Sequence, residues 1–155
     1  MSRSTFTFDP YSITGSTSVV QVVCGFLLKE LKDNWSESNP MMNEVVERLQ
    51  DCTTVDYGFV RVELSKLENY ELKYLTEILS RCIVRIQSWG AYIPLDEVKM
   101  MQRAGFLLKQ TKYIQDMPTY YILDYLHQLK RMLELSPDHD LSKENRSTNY
   151  PIVKE

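Results

Sequence analysis

Cysteine catalysis needs a thiol, a histidine that can take its proton, and a group that orients the ring. The chain has three cysteines, Cys24, Cys52 and Cys82, and two histidines, His127 and His139. The thiols are far apart, each lies in an apolar stretch, and none has a recognisable flanking motif. They read as buried thiols of a reducing compartment rather than as nucleophiles or a disulfide frame. Asp138, His139 and Asp140 group three ligand types, but a metal site wants further Cys or His nearby. This triplet stands in a polar terminal stretch and reads as solvated. The five glycines form neither G-x-G-x-x-G nor G-x-x-x-x-G-K-[ST], so no phosphate cradle is present. The expectation is a non-enzyme with no catalytic, cofactor-binding or metal-binding residues and no cofactor.

Ring chemistry is more suggestive. The chain has ten tyrosines and two tryptophans. Tyr113, Tyr120, Tyr121 and Tyr125 cluster around Pro118. Such amphipathic rings are favoured at protein–protein interfaces. They serve equally to wall a core with hydroxyls reaching water, and spacing does not separate the two uses. Arg81, Arg85, Arg103, Lys109 and Lys112 form either a basic strip or an ordinary solvated face. The net charge of −3 argues against extensive nucleic-acid binding, which needs cations to displace phosphate counterions.

The elements that must position these residues are read from periodicity. Residues 1–16 are rich in Ser and Thr, lack an apolar leader, and read as a flexible lead-in punctuated by Asp9, Pro10 and Gly15. A helix over 17–34 carries Val19, Val22, Val23, Phe26, Leu27 and Leu31 at helical spacing, although Val19 to Val23 also suits a strand. Its most apolar stretch, 19–28, is broken by Gln21 and Gly25 and is too short to span a bilayer. No membrane contact is expected, and the expected location is nucleus or cytoplasm. Asn39 and Pro40 open a second helix with Met42, Val45, Val46, Leu49 and Cys52 as its stripe. Near 57–64, Val60, Val62 and Leu64 alternate with polar residues, which fits a short strand or an extended connector.

The longest helix is expected over 65–89. Ser65 and Glu68 form an S-x-x-E capping box, and Gly90 suits the end. Its apolar surface exceeds one stripe, so it reads as the buried central helix, or as one also covered by a partner. A fourth helix starts at Leu95, with Asp96 and Glu97 at its positive end. Val98, Met101, Gly105, Leu108 and Lys112 lie on one side, and it stops by Pro118. A fifth runs from Thr119 to Leu135 with Ile122, Leu126, Leu129 and Leu133 as its stripe. Residues 136–155 read as a polar tail where changes matter little. The expected architecture is thus all-α: about five helices, residues 17–135, around the 65–89 helix.

The segment LENYELKYLTEILSRCIVRIQSW, between Lys66 and Gly90, resembles the signature helix of GINS complex subunits. That helix is rich in leucine and tyrosine and ends in a basic–Ile pair followed by an aromatic residue, here Arg85, Ile86 and Trp89. The segment DEVKMMQRAGFLLKQTKYIQDM, between Leu95 and Pro118, is similar to the helix that follows. The resemblance covers roughly 27–135 and lacks the small β-rich domain usual in that family. It implies a non-catalytic subunit of a four-subunit complex that joins the MCM ring in the replicative helicase. The subunit would act as a scaffold between other protein subunits in DNA replication. Tyr74, Ile78, Arg85, Ile86, Trp89, Tyr113, Tyr120 and Tyr121 are the expected partner-binding residues. A rival reading needs no family. A small, mildly acidic helical protein also suits an immunity or antitoxin-type role, binding and neutralising a basic partner.

Overall fold

The computed structural model describes residues 3–34, 43–54, 60–107 and 114–155. Its architecture corrects the all-α expectation. Among the described residues, five α-helices pack with a four-stranded mixed sheet, which makes a mixed α/β fold.

The correction begins at the N-terminus. Residues expected to form a loose lead-in build a hairpin of β1 (Arg3–Phe8) and β2 (Tyr11–Ser16). Both strands alternate by residue, so one face gathers Phe6, Tyr11 and Ile13, all buried. Antiparallel pairing sets Phe6 opposite Ile13 and Phe8 opposite Tyr11 across the Asp9-Pro10 turn. On the other face the Thr5 and Thr14 hydroxyls hydrogen-bond at 2.9 Å, a cross-strand pair that supports the register. A two-stranded hairpin is marginal alone. Here β3 (Arg61–Glu63) joins β1 in parallel, and β4 (Val153–Lys154) joins β2 antiparallel. The alternating run near 57–64 is therefore a strand in its later part, with Val62 fully buried.

The helices are α1 (Thr17–Asn34), α2 (Asn43–Thr54), α3 (Asn69–Gln87), α4 (Leu95–Arg103) and α5 (Thr119–Glu134). The central helix is α1, not α3. It packs against the sheet, α2, α3 and α5. Val20, Val22, Val23, Cys24, Leu27, Leu28 and Leu31 are all buried, so the helix is apolar around most of its girth because it has neighbours on most sides. The strand alternative at Val19 to Val23 is not adopted.

The start of α3 also differs from the expected one. Ser65 Oγ accepts from the Asp9 N–H at 2.6 Å, so the sheet takes the hydroxyl that the capping box would have used. The box forms three residues later. The Glu68 N–H donates to Glu71 Oε1 at 3.0 Å, with Glu71 at the third helical position. At the other end Gly90, with φ +77°, turns the chain in a left-handed conformation that favours glycine. Gly105, with φ +79°, likewise ends the α4 region well short of Pro118. The second-helix cap at Asn39 and Pro40, and also Met42, Leu108, Lys109, Lys112 and Tyr113, lie outside the described residues.

The polar tail is structured too. Tyr150 and Ile152 are buried. Asn145 Nδ2 donates to the Ile152 carbonyl at 2.9 Å, and Asn145 Oδ1 accepts from the Ile152 N–H at 2.7 Å. Gln128 Nε2 donates to the Tyr150 carbonyl at 3.0 Å. These bonds tie the terminal segment to α5 and deliver β4 to the sheet edge.

Candidate functional site

The residues expected to meet a partner divide into three groups. Ile78 and Ile86 are fully buried in the chain's own core. Trp89 is partly buried, its ring tilted over Phe26 at 5.3 Å. The two isoleucines hold the fold and are not displayed, and Trp89 leaves only part of its ring at the surface. Tyr113 lies outside the described residues. Tyr74, Arg85, Tyr120 and Tyr121 reach the surface, at two separate places.

Arg85 lines a groove of about 530 Å³ between the end of α1 and α3, with Glu30, Asn34, Arg81 and Val84 among the other lining residues, and Tyr74 stands beside it. Its two carboxylates are already paired, Asp33 with Lys29 and Glu30 with Arg85. Arg85 Nη2 lies 2.8 Å from Glu30 Oε1, an ion pair that is not aligned as a hydrogen bond. Arg81 donates to Asn34 Oδ1, and Tyr74 donates its hydroxyl proton to the Asn34 carbonyl at 2.8 Å. Here the polar side chains fasten α3 to α1. Of the expected basic strip, Arg81 and Arg85 are thus internal fasteners, and the Arg103 guanidinium bonds back to the Lys99 carbonyl.

Tyr120 and Tyr121 sit elsewhere, at the start of α5. Three backbone contacts fix their position. Tyr92 bridges to Pro118. The Thr119 N–H donates to the Ala91 carbonyl at 2.9 Å, and the Thr119 hydroxyl donates to the Gly90 carbonyl at 2.5 Å. The turn after α3 is therefore zipped to the first turn of α5, and the adjacent tyrosines stand on rigid backbone. Their rings stack with centroids 4.1 Å apart and planes tilted by 32°. Tyr120 is 53% exposed, and Tyr92 is equally open.

Beside this pair runs a mainly apolar cleft of about 380 Å³. Val19 comes from α1, Met117 and Pro118 from the approach to α5, Tyr121 from α5 and Tyr150 from the terminal segment. Asp116 also lines it, with an exposed side chain. Tyr150 packs edge-on against buried Tyr125, centroids 5.0 Å apart, and Tyr125 donates to the Ile13 carbonyl at 3.0 Å. Gly15 makes room for both rings, since a Cβ there would lie 3.0 Å from the Tyr125 ring and 3.3 Å from the Tyr150 ring. The sheet thus positions one wall of the cleft. Asp124 holds the same segment by accepting from the Thr148 hydroxyl at 2.5 Å and the Asn149 N–H at 2.8 Å. Burial, then the Asp124 charge and the neighbouring tyrosines, pushes the Tyr150 hydroxyl up to about 12. The hydroxyl contact with Tyr121 holds the Tyr120 hydroxyl above the usual tyrosine range. These rings are neutral at physiological pH.

Sequence reading missed Asp116, Met117, Val19 and above all Tyr150, which it assigned to a loose tail. The available signal was Tyr150-Pro-Ile-Val, an apolar run inside polar surroundings.

At Cys24 and Cys82 burial outweighs any activating neighbour. Burial, then contact with Cys52, pushes the Cys24 thiol well up. Burial, then the Glu30 charge, raises Cys82, whose thiol faces the Phe26 carbonyl at 3.5 Å. A reactive thiol wants the opposite shift. His139 Nε2 pairs with Glu144 at 2.9 Å and Asp140 caps Ser142, so two of the triplet's three groups are spent on the protein, while Asp138 is exposed. No group of metal-ligating side chains occurs among the described residues. None of their helices is long and apolar enough to cross a membrane. No protein-family model, curated protein or solved structure matches the chain.

Proposed function

We propose that this chain is a non-catalytic binding protein that docks reversibly on another protein through Tyr120, Tyr121 and the cleft beside them. The observation that carries this reading is the stacked tyrosine pair on locked backbone, with Tyr120 open to solvent and Tyr121 half-buried beside it. Large rings presented without an entropy cost are what binding hot spots are made of.

Of the two roles raised by the sequence, a small partner-neutralising protein suits the geometry better than an obligate scaffold. The scaffold reading asked neighbouring subunits to cover the broad apolar surface of α3. Leu75, Ile78, Leu79, Cys82 and Ile86 are instead covered by the chain itself. That leaves aromatic, mixed-polarity surface, which is typical of reversible interfaces.

The test is capture of partners from the native host by the wild-type chain and by a Tyr120→Ala/Tyr121→Ala variant. One stoichiometric partner is expected, with affinity falling about 30-fold or more in the variant, the equivalent of about 2 kcal/mol for a hot spot. The variant's circular dichroism should be unchanged. Unchanged capture by the variant would overturn the assignment, and co-purification with three homologous subunits would restore the scaffold reading.

A further inference from the structure

We infer that the cleft between Tyr121 and Tyr150 receives a cationic side chain, lysine or arginine, from the partner protein. This rests on the interface reading above and names the chemistry of its occupant.

Three observations select a cation. Asp116 lines the cleft and pairs with no cation among the described residues. Among the described residues no lysine or arginine lines it. Asp124 adds a second carboxylate behind Tyr150, close enough to act on its hydroxyl. The described residues therefore give the cleft a negative field that none of their cations answers. An anionic occupant would be repelled. A purely apolar one would strip water from Asp116 with nothing in return.

The walls fit the same occupant. A long cationic side chain buries its methylenes against apolar surface and keeps its charged head at the polar end. Val19, Met117 and Pro118 supply that apolar floor, while Tyr121 and Tyr150 supply ring surface. Ring faces attract cations within about 6 Å of the centroid. The chain already uses this geometry twice internally: Lys32 Nζ lies 5.5 Å from the Phe106 ring centre and Lys154 Nζ 5.8 Å from that of Tyr11. Among the described residues no such cation covers Tyr120, Tyr121 or Tyr150. The groove between α1 and α3 contrasts with this cleft, because Glu30 there already has Arg85.

The probe is a blocked tripeptide, acetyl-Gly-Arg-Gly-amide, with the norleucine peptide as its uncharged counterpart. Each is titrated into the full chain and followed by amide and aromatic NMR shifts. The arginine peptide should move signals of Val19, Tyr121 and Tyr150 with millimolar affinity that weakens as salt is added, and the norleucine peptide should bind several-fold more weakly. Asp116→Asn and Tyr121→Leu should each cost about fivefold for the arginine peptide and leave norleucine unaffected. Equal binding of the two peptides, or an Asp116→Asn variant that binds arginine as the wild type does, would overturn the inference. So would the absence of any shift at the cleft. If the arginine peptide moves nothing while the double tyrosine variant still loses its partner, the interface stands and only its cationic occupant falls.

Discussion

Gly25 lies within α1, where alanine would ordinarily be the better helix former by about 1 kcal/mol. Yet a Cβ at this position would lie 2.6 Å from the Phe106 carbonyl oxygen and 2.7 Å from Leu107 Cδ2. Backbone cannot yield as a side-chain tip does, and overpacking a filled core typically costs about 1–3 kcal/mol. Sterics should win: Gly25→Ala is expected to lower the urea midpoint, and a midpoint equal to or above wild type would show that the 106–107 segment relaxes freely. A second residue-scale expectation concerns acid. Glu144 accepts two bonds from the Arg131 guanidinium, at 3.1 and 2.7 Å. That pairing, followed by the bond from His139, holds its carboxyl below the usual range. A depressed carboxyl stabilises the fold fully above its unfolded pKa of about 4.3. The contribution drains away as pH falls through the lower folded value. Arg131 is 42% exposed, so water limits the effect to about 1 kcal/mol. The Tm gap between wild type and Glu144→Gln should therefore be small near neutrality and close in acid. A gap that persisted in strong acid would mean that the glutamine was simply packed badly.

The segment 145–155 behaves as an element although it reads as a tail. It supplies β4, the buried Tyr150 and Ile152, and the Asn145 ring of hydrogen bonds. Burying a single large apolar side chain stabilises by roughly 1.5–3 kcal/mol. Deleting 145–155 should accordingly cost at least about 3 kcal/mol, a large share of the 5–15 kcal/mol typical of a domain. Denaturation with urea reads this directly, and an unshifted midpoint would return the segment to the status of a tail. The same element shows why the sheet was hard to see in the sequence. Helices announce themselves within a few turns: α1, α2 and α5 lie close to where their apolar spacing puts them, because each repeat carries the signal. Strands need partners. The alternation in Arg3–Phe8 and Tyr11–Ser16 is present, with Asp9-Pro10 between, but its Ser and Thr positions resemble a linker. Its neighbours β3 and β4 arrive from the middle and the far end of the chain. Pairing at such separations leaves no local trace. The cleft inherits this difficulty. Tyr120 and Tyr121 were legible as clustered rings, whereas Tyr150 and Asp116 meet them only through the fold.

At the scale of the whole molecule the question is whether the chain can stand alone. Its accessible surface is 8511 Å², close to the roughly 8,100 Å² that scaling gives a folded monomer of its mass. Among the described residues the large hydrophobics left exposed are Tyr70, Val84, Tyr92, Leu95, Tyr120 and Val153, three of them amphipathic tyrosines. An obligate interface resembles a core cut in half and buries about 2,000–5,000 Å² in total. That calls for contiguous aliphatic surface, and the aliphatic surface of the described residues is mostly spent inside, above all around α1. Reversible docking asks for less: a few rigid rings, a cleft, and an interface of about 1,600 Å². The purified chain should therefore sediment as an 18.2 kDa monomer. Its thermal unfolding should be cooperative, coincide by far-UV circular dichroism and by tryptophan fluorescence, and be independent of protein concentration. A Tm that rises with concentration would mean that association stabilises the fold by mass action. In that case the exposed rings would be half of a permanent interface, and the reversible reading would have to be abandoned in favour of a subunit that folds only with its neighbours.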